Sequence, residues 1–197
     1  MKLKILETKD LLLRPFRMSD LNDFYEYAQR EEIGPKAGWK PHPNKEFSAK
    51  ILQSFIKNNE VYAIVLKEEN KVIGSIGIHE RMLPEMLAVY SQKSFREIGY
   101  VLHSAYWNRG FMSQAVAAII YYAFHDLKLD FLVVAHSKDN PASGRVIEKC
   151  GFRYVGSMEK EMVFLDGEIR TSCYYILEYD KSYKAISDGK YDEIPIF

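Results

Sequence analysis

Between Phe95 and His136 the chain reads "FREIGYVLH", then "WNRGFM", then a segment in which Val116, Ile119, Ile120, Ala123, Phe124 and Leu127 follow the helical period, then "FLVVAH". The last run is apolar at almost every position, the pattern of a strand buried on both faces. A strand, a glycine-punctuated turn, a helix and a buried strand in that order predict a central β-α-β unit. Such a unit needs a sheet with helices on its faces.

The flanking segments fit around it. "LLLRP" at Leu11–Pro15 reads as a first strand, its proline suited to an edge or strand end. "MSDLNDFYEYA" predicts a helix capped by Ser19, with Asp20 and Asp23 where the dipole favours acids and Leu21, Phe24, Tyr25 and Ala28 as its apolar face. After the breaker-rich loop "GPKAGWKPHP", a second helix starts near Asn44 with Phe47, Ile51 and Phe55 as its stripe. "VYAIVL" and "KVIGSIGIHE" form a hairpin across "KEEN". "RMLPEMLAVYSQKS" is long for a connection between strands, and loops of that length usually carry function or pair with something. "DNPASGRVIEKCG" is a helix with Asn140 as cap, Pro141 in its first turn and Gly151 at its close. Asp166-Gly167 predicts a two-residue turn in a last hairpin.

The element order β-α-α-β-β-β-α-β-α-β-β predicts an α/β fold: a mixed, mostly antiparallel sheet in one domain over residues 1–180, followed by a polar tail over 181–197. Basic and acidic side chains balance at 27 each, so no basic excess points to nucleic acid. No apolar run approaches the roughly 20 residues needed to span a bilayer. The N-terminal "MKLKILETKD" lacks the apolar core of a signal peptide. Cys150 and Cys173 show no metal spacing and read as reduced buried thiols of a cytoplasmic protein.

The turn "WNRGFM" is neither of the two common phosphate signatures. A turn that opens straight into a helix nevertheless aims the unpaired N–H groups of the first helical turn at one place, where the dipole adds positive potential. Gly110 lets the backbone approach a ligand and Arg109 can add charge, so the turn is a candidate pyrophosphate cradle. A plain connection between strand and helix would look the same.

"EIGYVLHSAYWNRGFMSQAV" followed by "NPASGRVIEKCGF" resembles the GNAT superfamily of acetyl-CoA-dependent N-acetyltransferases, and more narrowly its Rim-type branch, the relatives of ribosomal-protein N-terminal acetyltransferases. The resemblance covers roughly Leu6 to Tyr179. The family's pyrophosphate loop, Gln/Arg-x-x-Gly-x-Gly/Ala, here reads Trp107-Asn108-Arg109-Gly110-Phe111-Met112, with its central glycine kept and both ends changed. The resemblance implies acetyl-CoA as cosubstrate and no metal. It implies that the amides of Asn108, Arg109, Gly110, Phe111, Met112 and Ser113 bind pyrophosphate. It also implies a sheet splayed between the fourth and fifth predicted strands, with pantetheine pairing to the backbone of Tyr100, Val101 and Leu102. Asn140 and Ser143 would lie beside the pantetheine arm and the sulfur.

An amine must be neutral to attack a thioester. A lysine amine titrates near ~10.4 and an α-amine near ~7.7–8.0, so a lysine needs more help from a base. Glu97, at the start of the central strand, is the candidate base, and alternation puts it on one face with Gly99 and Val101. The amide of Val101 or Leu102 is the expected oxyanion donor. Where relatives carry a tyrosine to protonate the leaving thiolate, this chain has Ile147, and Ser143 is the substitute donor. His79 is expected to face the amine pocket and Trp39 to stack on substrate, with His79 or His103 as other bases. His79, His103 and His136 lack cysteine or acidic partners at zinc spacing. Met82, Leu83, Met86 and Leu87 would line an acceptor groove or a homodimer contact. The amine is expected between the first two helices, the loop after His79 and the last hairpin.

The reading is direct transfer of acetyl to a primary amine, on a protein N-terminus or a small molecule, with no acyl-enzyme. A non-catalytic acyl-CoA-binding sensor and an acetyltransferase acting on aminoacyl-tRNA are the alternatives.

Overall fold

The computed structural model describes residues 3–180, and the segment expected as a tail lies outside the described residues. Eight strands and four α-helices follow one another: β1 (Leu6–Glu7), β2 (Leu11–Pro15), α1 (Leu21–Ala28), α2 (Lys45–Asn58), β3 (Val61–Leu66), β4 (Lys71–His79), β5 (Phe95–Leu102), α3 (Phe111–Tyr121), β6 (Phe131–Ser137), α4 (Pro141–Lys149), β7 (Arg153–Met162) and β8 (Glu168–Glu178). The strands form one sheet in the order β1-β2-β3-β4-β5-β6-β8-β7. Every neighbouring pair is antiparallel except β5 and β6, which α3 joins as a parallel pair. The expected mixed, mostly antiparallel architecture is therefore present.

Alternation sorts the strand residues onto two faces. Tyr62, Ile64, Ile73, Ile76, Ile98 and Leu132 pack under α3 and α4, against Ala115, Val116, Ile119 and Ile147. Val61, Ala63, Val65 and Val72 turn the other way, toward Phe24, Tyr27 and Leu52 of α1 and α2. On that same side, farther along the sheet, Phe131, Val133, Tyr174 and Ile176 are covered by Leu87 from the connection after β4. Phe131 through Val134 are buried, as the apolar run of β6 requires.

Four local expectations are corrected. β1 adds a two-residue edge strand, Leu6 opposite Leu13, too short to leave a periodic signal. Asp20, not Ser19, precedes α1. Its carboxylate takes a bidentate pair from Arg14 at 2.7 and 2.8 Å and accepts the Arg17 amide at 2.8 Å. The core face of α2 is Ser48 and Leu52, flanked by Ile51 and Phe55, while Phe47 is left 43% exposed: the stripe is rotated by one position. The last hairpin closes through five residues, 163–167, rather than two. Asp166 and Gly167 do adopt positive φ, at 57° and 78°, and the Glu168 amide donates to the Leu165 carbonyl at 3.1 Å. Val163, Phe164 and Leu165 loop out ahead of that turn, so that Phe164 can bridge to Trp39.

Candidate active site

The sheet opens where the resemblance placed a splay. β5 and β6 pair from Phe95–Phe131 to Ile98–Val134 and then part, although β5 continues to Leu102 and β6 to Ser137. Gly99 through Leu102 remain held by β4 alone, in register with Gly77 through Gly74. Among the described residues one edge of β5 is thus left without a strand partner, an opening that an extended ligand can fill with backbone hydrogen bonds.

Beyond this edge the chain turns through Asn108 at φ 60° and Gly110 at φ 79° into α3. The positive φ at Gly110 is what glycine adopts without strain. A Cβ there would meet no atom within 4 Å, so the backbone faces open space. Among the described residues no side chain caps α3, and its first intrahelical bond runs from the Gln114 amide to the Gly110 carbonyl at 3.1 Å. The preceding amides form the anion-binding geometry of a helix N-terminus. Gln114 fixes this end in place: it accepts from Thr8 at 2.9 Å and donates to Asp10 at 2.7 Å, which ties α3 to the β1–β2 turn.

A cavity of about 540 Å³ lies between the parted strand, the α3 mouth and α4. Tyr100, Val101, Leu102, Asn108, Gly110 and Phe111 line it, as do Met112, Ser113, Asn140 and Ser143. The structure therefore brings together ten of the eleven residues expected around the cosubstrate. The carbonyl of Leu102 is already taken by the Trp107 indole N–H, at 2.8 Å. Arg109 is the exception: the turn carries its guanidinium over the Phe111 ring, 4.7 Å from the centroid, and toward a different recess beside Lys9 and Lys67. Cationic side chains do reach the main cavity, from Lys36, Arg145 and Lys149. Arg145 and Lys149 lie at i, i+4 on α4, a spacing that puts them on one helix face.

A second cavity, about 200 Å³, adjoins the first on the far side of the gap. Glu97, Gly99, His136, Lys160, Arg170 and Ser172 contribute to its walls. Lys36, Tyr100, Asn140 and Ser143 border both cavities. The Glu97 carboxylate makes no hydrogen bond or ion pair among the described residues, and it lies near enough to Tyr174 to help burial raise that phenol's pKa. The roof is the turn Pro35–Ala37. The Asn140 amide group donates to the Lys36 carbonyl at 3.3 Å, and Arg170, itself paired with Glu168 at 2.9 Å, donates to the Pro35 carbonyl. Asn140 also caps α4, accepting from the Ser143 amide at 3.3 Å.

Other expected site residues lie elsewhere. Trp39 lines neither cavity. It packs over Gly34, where a Cβ would sit 2.7 Å from its ring, and against His42, 5.1 Å between centroids. His79 is opposite Glu97 in the ladder, but its ring folds back over Gly77 and pairs with Glu60 at 3.3 Å. His103 is buried, with one ring nitrogen accepting from the Ala105 amide at 3.1 Å and the other against Glu26 at 3.2 Å. Burial lowers its pKa first of all. The loop after His79 does not line the acceptor side, because Leu87 anchors it on Phe131 and Ile176. Of its apolar residues, Leu87 is core and Met82 is 93% exposed. Among the described residues no cluster of histidine, cysteine or acidic side chains is arranged to hold a metal. Cys150 is buried and its thiol is pushed up to about 12, whereas Cys173 is only partly buried. No helix among the described residues is long and apolar enough to cross a membrane.

Residues 10–153 match the family described as Acetyltransferase (GNAT) domain. Among curated proteins, the Bacillus subtilis (strain 168) protein named Uncharacterized N-acetyltransferase YnaD is 28% identical over 160 residues, covering 79% of this chain and 86% of its own. A second protein of that organism, named Uncharacterized N-acetyltransferase YoaA, is 27% identical over 180 residues, covering 88% and 97%. Among solved structures, a GNAT-family acetyltransferase from Bacillus anthracis superposes with a TM-score of 0.77 at 23% identity, over 89% of this chain and 98% of that one. The ribosomal-protein-S5-alanine acetyltransferase from Vibrio fischeri superposes with a TM-score of 0.69 at 21% identity, over 91% and 98%. With a parted parallel pair, an uncapped helix mouth and a family match across most of its length, this chain belongs to the GNAT family and is an N-acetyltransferase.

Proposed function

We propose that the protein transfers the acetyl group of acetyl-CoA directly to a primary amine, on a peptide N-terminus or a small molecule. The observation that carries this reading is the parting of β5 from β6 after Ile98, beside the uncapped start of α3. The residues fit the cosubstrate. The amides from Asn108 to Ser113 would take the diphosphate, with Lys36, Arg145 and Lys149 adding positive charge at the same cavity. The free edge of β5 at Gly99–Leu102 would pair with the pantetheine arm, and the thioester would then lie at the junction of the two cavities.

From the second cavity Glu97 receives the proton that the amine must lose. Direct attack is favoured because, among the described residues, no activated nucleophile lines the junction: the Cys150 thiol lies in the core with its pKa raised by burial. The sensor reading is less well supported, because a ligand-binding module needs no second cavity holding an unpaired carboxylate. A Rim-type acceptor, the N-terminus of a protein, is one candidate for the second cavity, whose walls include Lys36 and Ala37 of the roof turn and Lys160, Met162 and Arg170 of the β7–β8 hairpin.

The test is CoA release by the purified chain with acetyl-CoA and N-terminal peptides, polyamines, amino acids, aminoglycosides and an aminoacyl-tRNA. Turnover with one class of free amine is expected. CoA binding without turnover on any acceptor would overturn the reading in favour of a sensor, and turnover only with the charged tRNA would redirect it.

A further inference from the structure

Breaking a thioester leaves a thiolate, and a buried thiolate needs a proton or a donor. The position where relatives carry a tyrosine for this purpose holds Ile147, which is 1% exposed and part of the core under α3. The junction of the two cavities offers other groups. Of the four residues that border both, Asn140 has no acidic proton, and the Lys36 ammonium is drawn over the Trp107 ring, 4.8 Å from the centroid. That leaves two hydroxyls, Tyr100 and Ser143, and they are bonded to each other. The phenol oxygen is 3.0 Å from Ser143 Oγ and 3.2 Å from the Ser143 carbonyl.

The strand geometry separates acid from base. Alternation along β5 puts Tyr100 with Ile98 and Leu102 on the α3–α4 face, while Glu97 and Gly99 look the other way. A group at Tyr100 therefore meets the sulfur from the side opposite the incoming amine. Ser143 sits in the first turn of α4, where Asn140 holds its amide, so its carbonyl and hydroxyl are fixed points for the phenol.

We propose that Tyr100 is the acid of this reaction, giving its phenolic proton to the departing sulfur while Ser143 positions its hydroxyl. The assignment rests on the acetyl-transfer reading above and adds to it a residue that the α4 motif does not name. In the step, the amine nitrogen bonds to the acetyl carbon, the carbon–sulfur bond breaks, and its electron pair stays on sulfur. The sulfur takes the proton of the Tyr100 hydroxyl, Glu97 takes the proton shed by the nitrogen, and both residues return to their starting states through solvent once the products leave. Ser143 alone is a poorer acid, since loss of its proton would leave an alkoxide. Burial keeps the phenol protonated across the neutral range.

Tyr100→Phe keeps the ring and removes only the hydroxyl. The expected result is a fall in kcat on the order of 10²-fold, within the range for one lost acid, with KM values for acetyl-CoA and acceptor within about threefold of wild type. Ser143→Ala leaves the phenol but loosens it, and kcat should fall less, roughly tenfold. A readout independent of turnover is the ultraviolet absorbance of the thiolate of bound CoA, followed through a pH titration. A hydroxyl that donates to sulfur makes the bound thiol ionise at lower pH in wild type than in Tyr100→Phe. Equal kcat and equal thiol titration in wild type and Tyr100→Phe would overturn the assignment while leaving acetyl transfer intact. A wild-type protein that turns over no amine would instead overturn the reading on which it rests. Should Tyr100→Phe not fold, the Ser143→Ala pair of measurements decides, with no change in either counting against the proposal.

Discussion

Gly99 separates what the fold needs from what the reaction needs. It lies in the middle of β5, opposite Gly77, on the face of Glu97 and at the wall of the second cavity. A Cβ added at Gly99 would meet no atom within 4 Å, whereas one added at Gly74, in the adjoining strand, would sit 2.3 Å from the Val101 carbonyl oxygen. For stability, then, Gly99→Ala carries no steric cost. Because glycine in a strand interior is worse than alanine by roughly 0.5–1 kcal/mol, the substitution should stabilise the protein. At about 2–4 °C per kcal/mol for a chain of this size, Tm rises by roughly 1–4 °C. For catalysis the sign reverses. The new methyl projects into the cavity of about 200 Å³ in which the proposed reaction brings acceptor and acetyl group together. One misplaced methyl in a shaped pocket is worth about 1–3 kcal/mol, so kcat/KM for the acceptor should drop roughly 10–200-fold. CoA affinity, which the proposal assigns to the other cavity, should stay within about twofold of wild type. Gly74→Ala is the control, losing about 1–3 kcal/mol through overpacking. Differential scanning calorimetry, calorimetric CoA binding and a CoA-release assay measure the three quantities. A Gly99→Ala protein that melts below wild type, or that keeps its full kcat/KM, would refute the reasoning.

Glu97→Gln should slow turnover most at neutral pH and progressively less as pH nears the amine's own titration, because an already neutral amine needs no base; a deficit that is flat across the profile would count against the role. Burial lowers the His42 pKa from its ordinary 6.5 to about 4. The unfolded chain therefore binds a proton on His42 that the folded one does not, and stability should fall as pH drops from about 6.5 toward 4. Thermal melts in that window should show a shallower decline for His42→Asn than for wild type. Of the two cysteines, Cys173 should react with a thiol reagent in the native protein, while Cys150, buried beside the Ser113 carbonyl, should react only after denaturant is added. Equal native rates for both thiols would contradict the packing around α4.

What could be read from sequence was local and periodic. The buried run of β6 and the Asn140–Pro141 start of α4 each carry their signal within one element and form where expected, whereas the helical stripe holds in α3 for Val116, Ile119 and Ile120 and then passes, with Ala123 and Phe124, into the π-helical turn Tyr122–Asp126. Glu97 and Gly99 share a face because alternation is a property of one strand. Misplaced features depended on partners distant in sequence for Trp39 and His79, and on local backbone conformation for Arg109. Trp39 looked free to meet a substrate until the looped-out Phe164 supplied it with a neighbour. His79 looked available until Glu60 and the space over Gly77 claimed its ring. Arg109 was assigned to the anion site by charge and proximity, but positive φ on both sides of it turns the side chain away. The Tyr100–Ser143 pair joins β5 to α4 across the gap, and no pattern within either segment announces it. Arg145 and Lys149 were not singled out from the sequence; their i, i+4 spacing is a signal that could have put them on one helix face, but nothing in the sequence directs that face toward the cavity.

The most direct measurement of the central claim is a crystal structure with CoA bound. The account predicts diphosphate oxygens about 2.7–3.2 Å from amides between Asn108 and Ser113, and a pantetheine arm hydrogen-bonded along β5 from Gly99 to Leu102. A CoA molecule seated elsewhere, with β5 and β6 joined beyond Ile98–Val134, would contradict it.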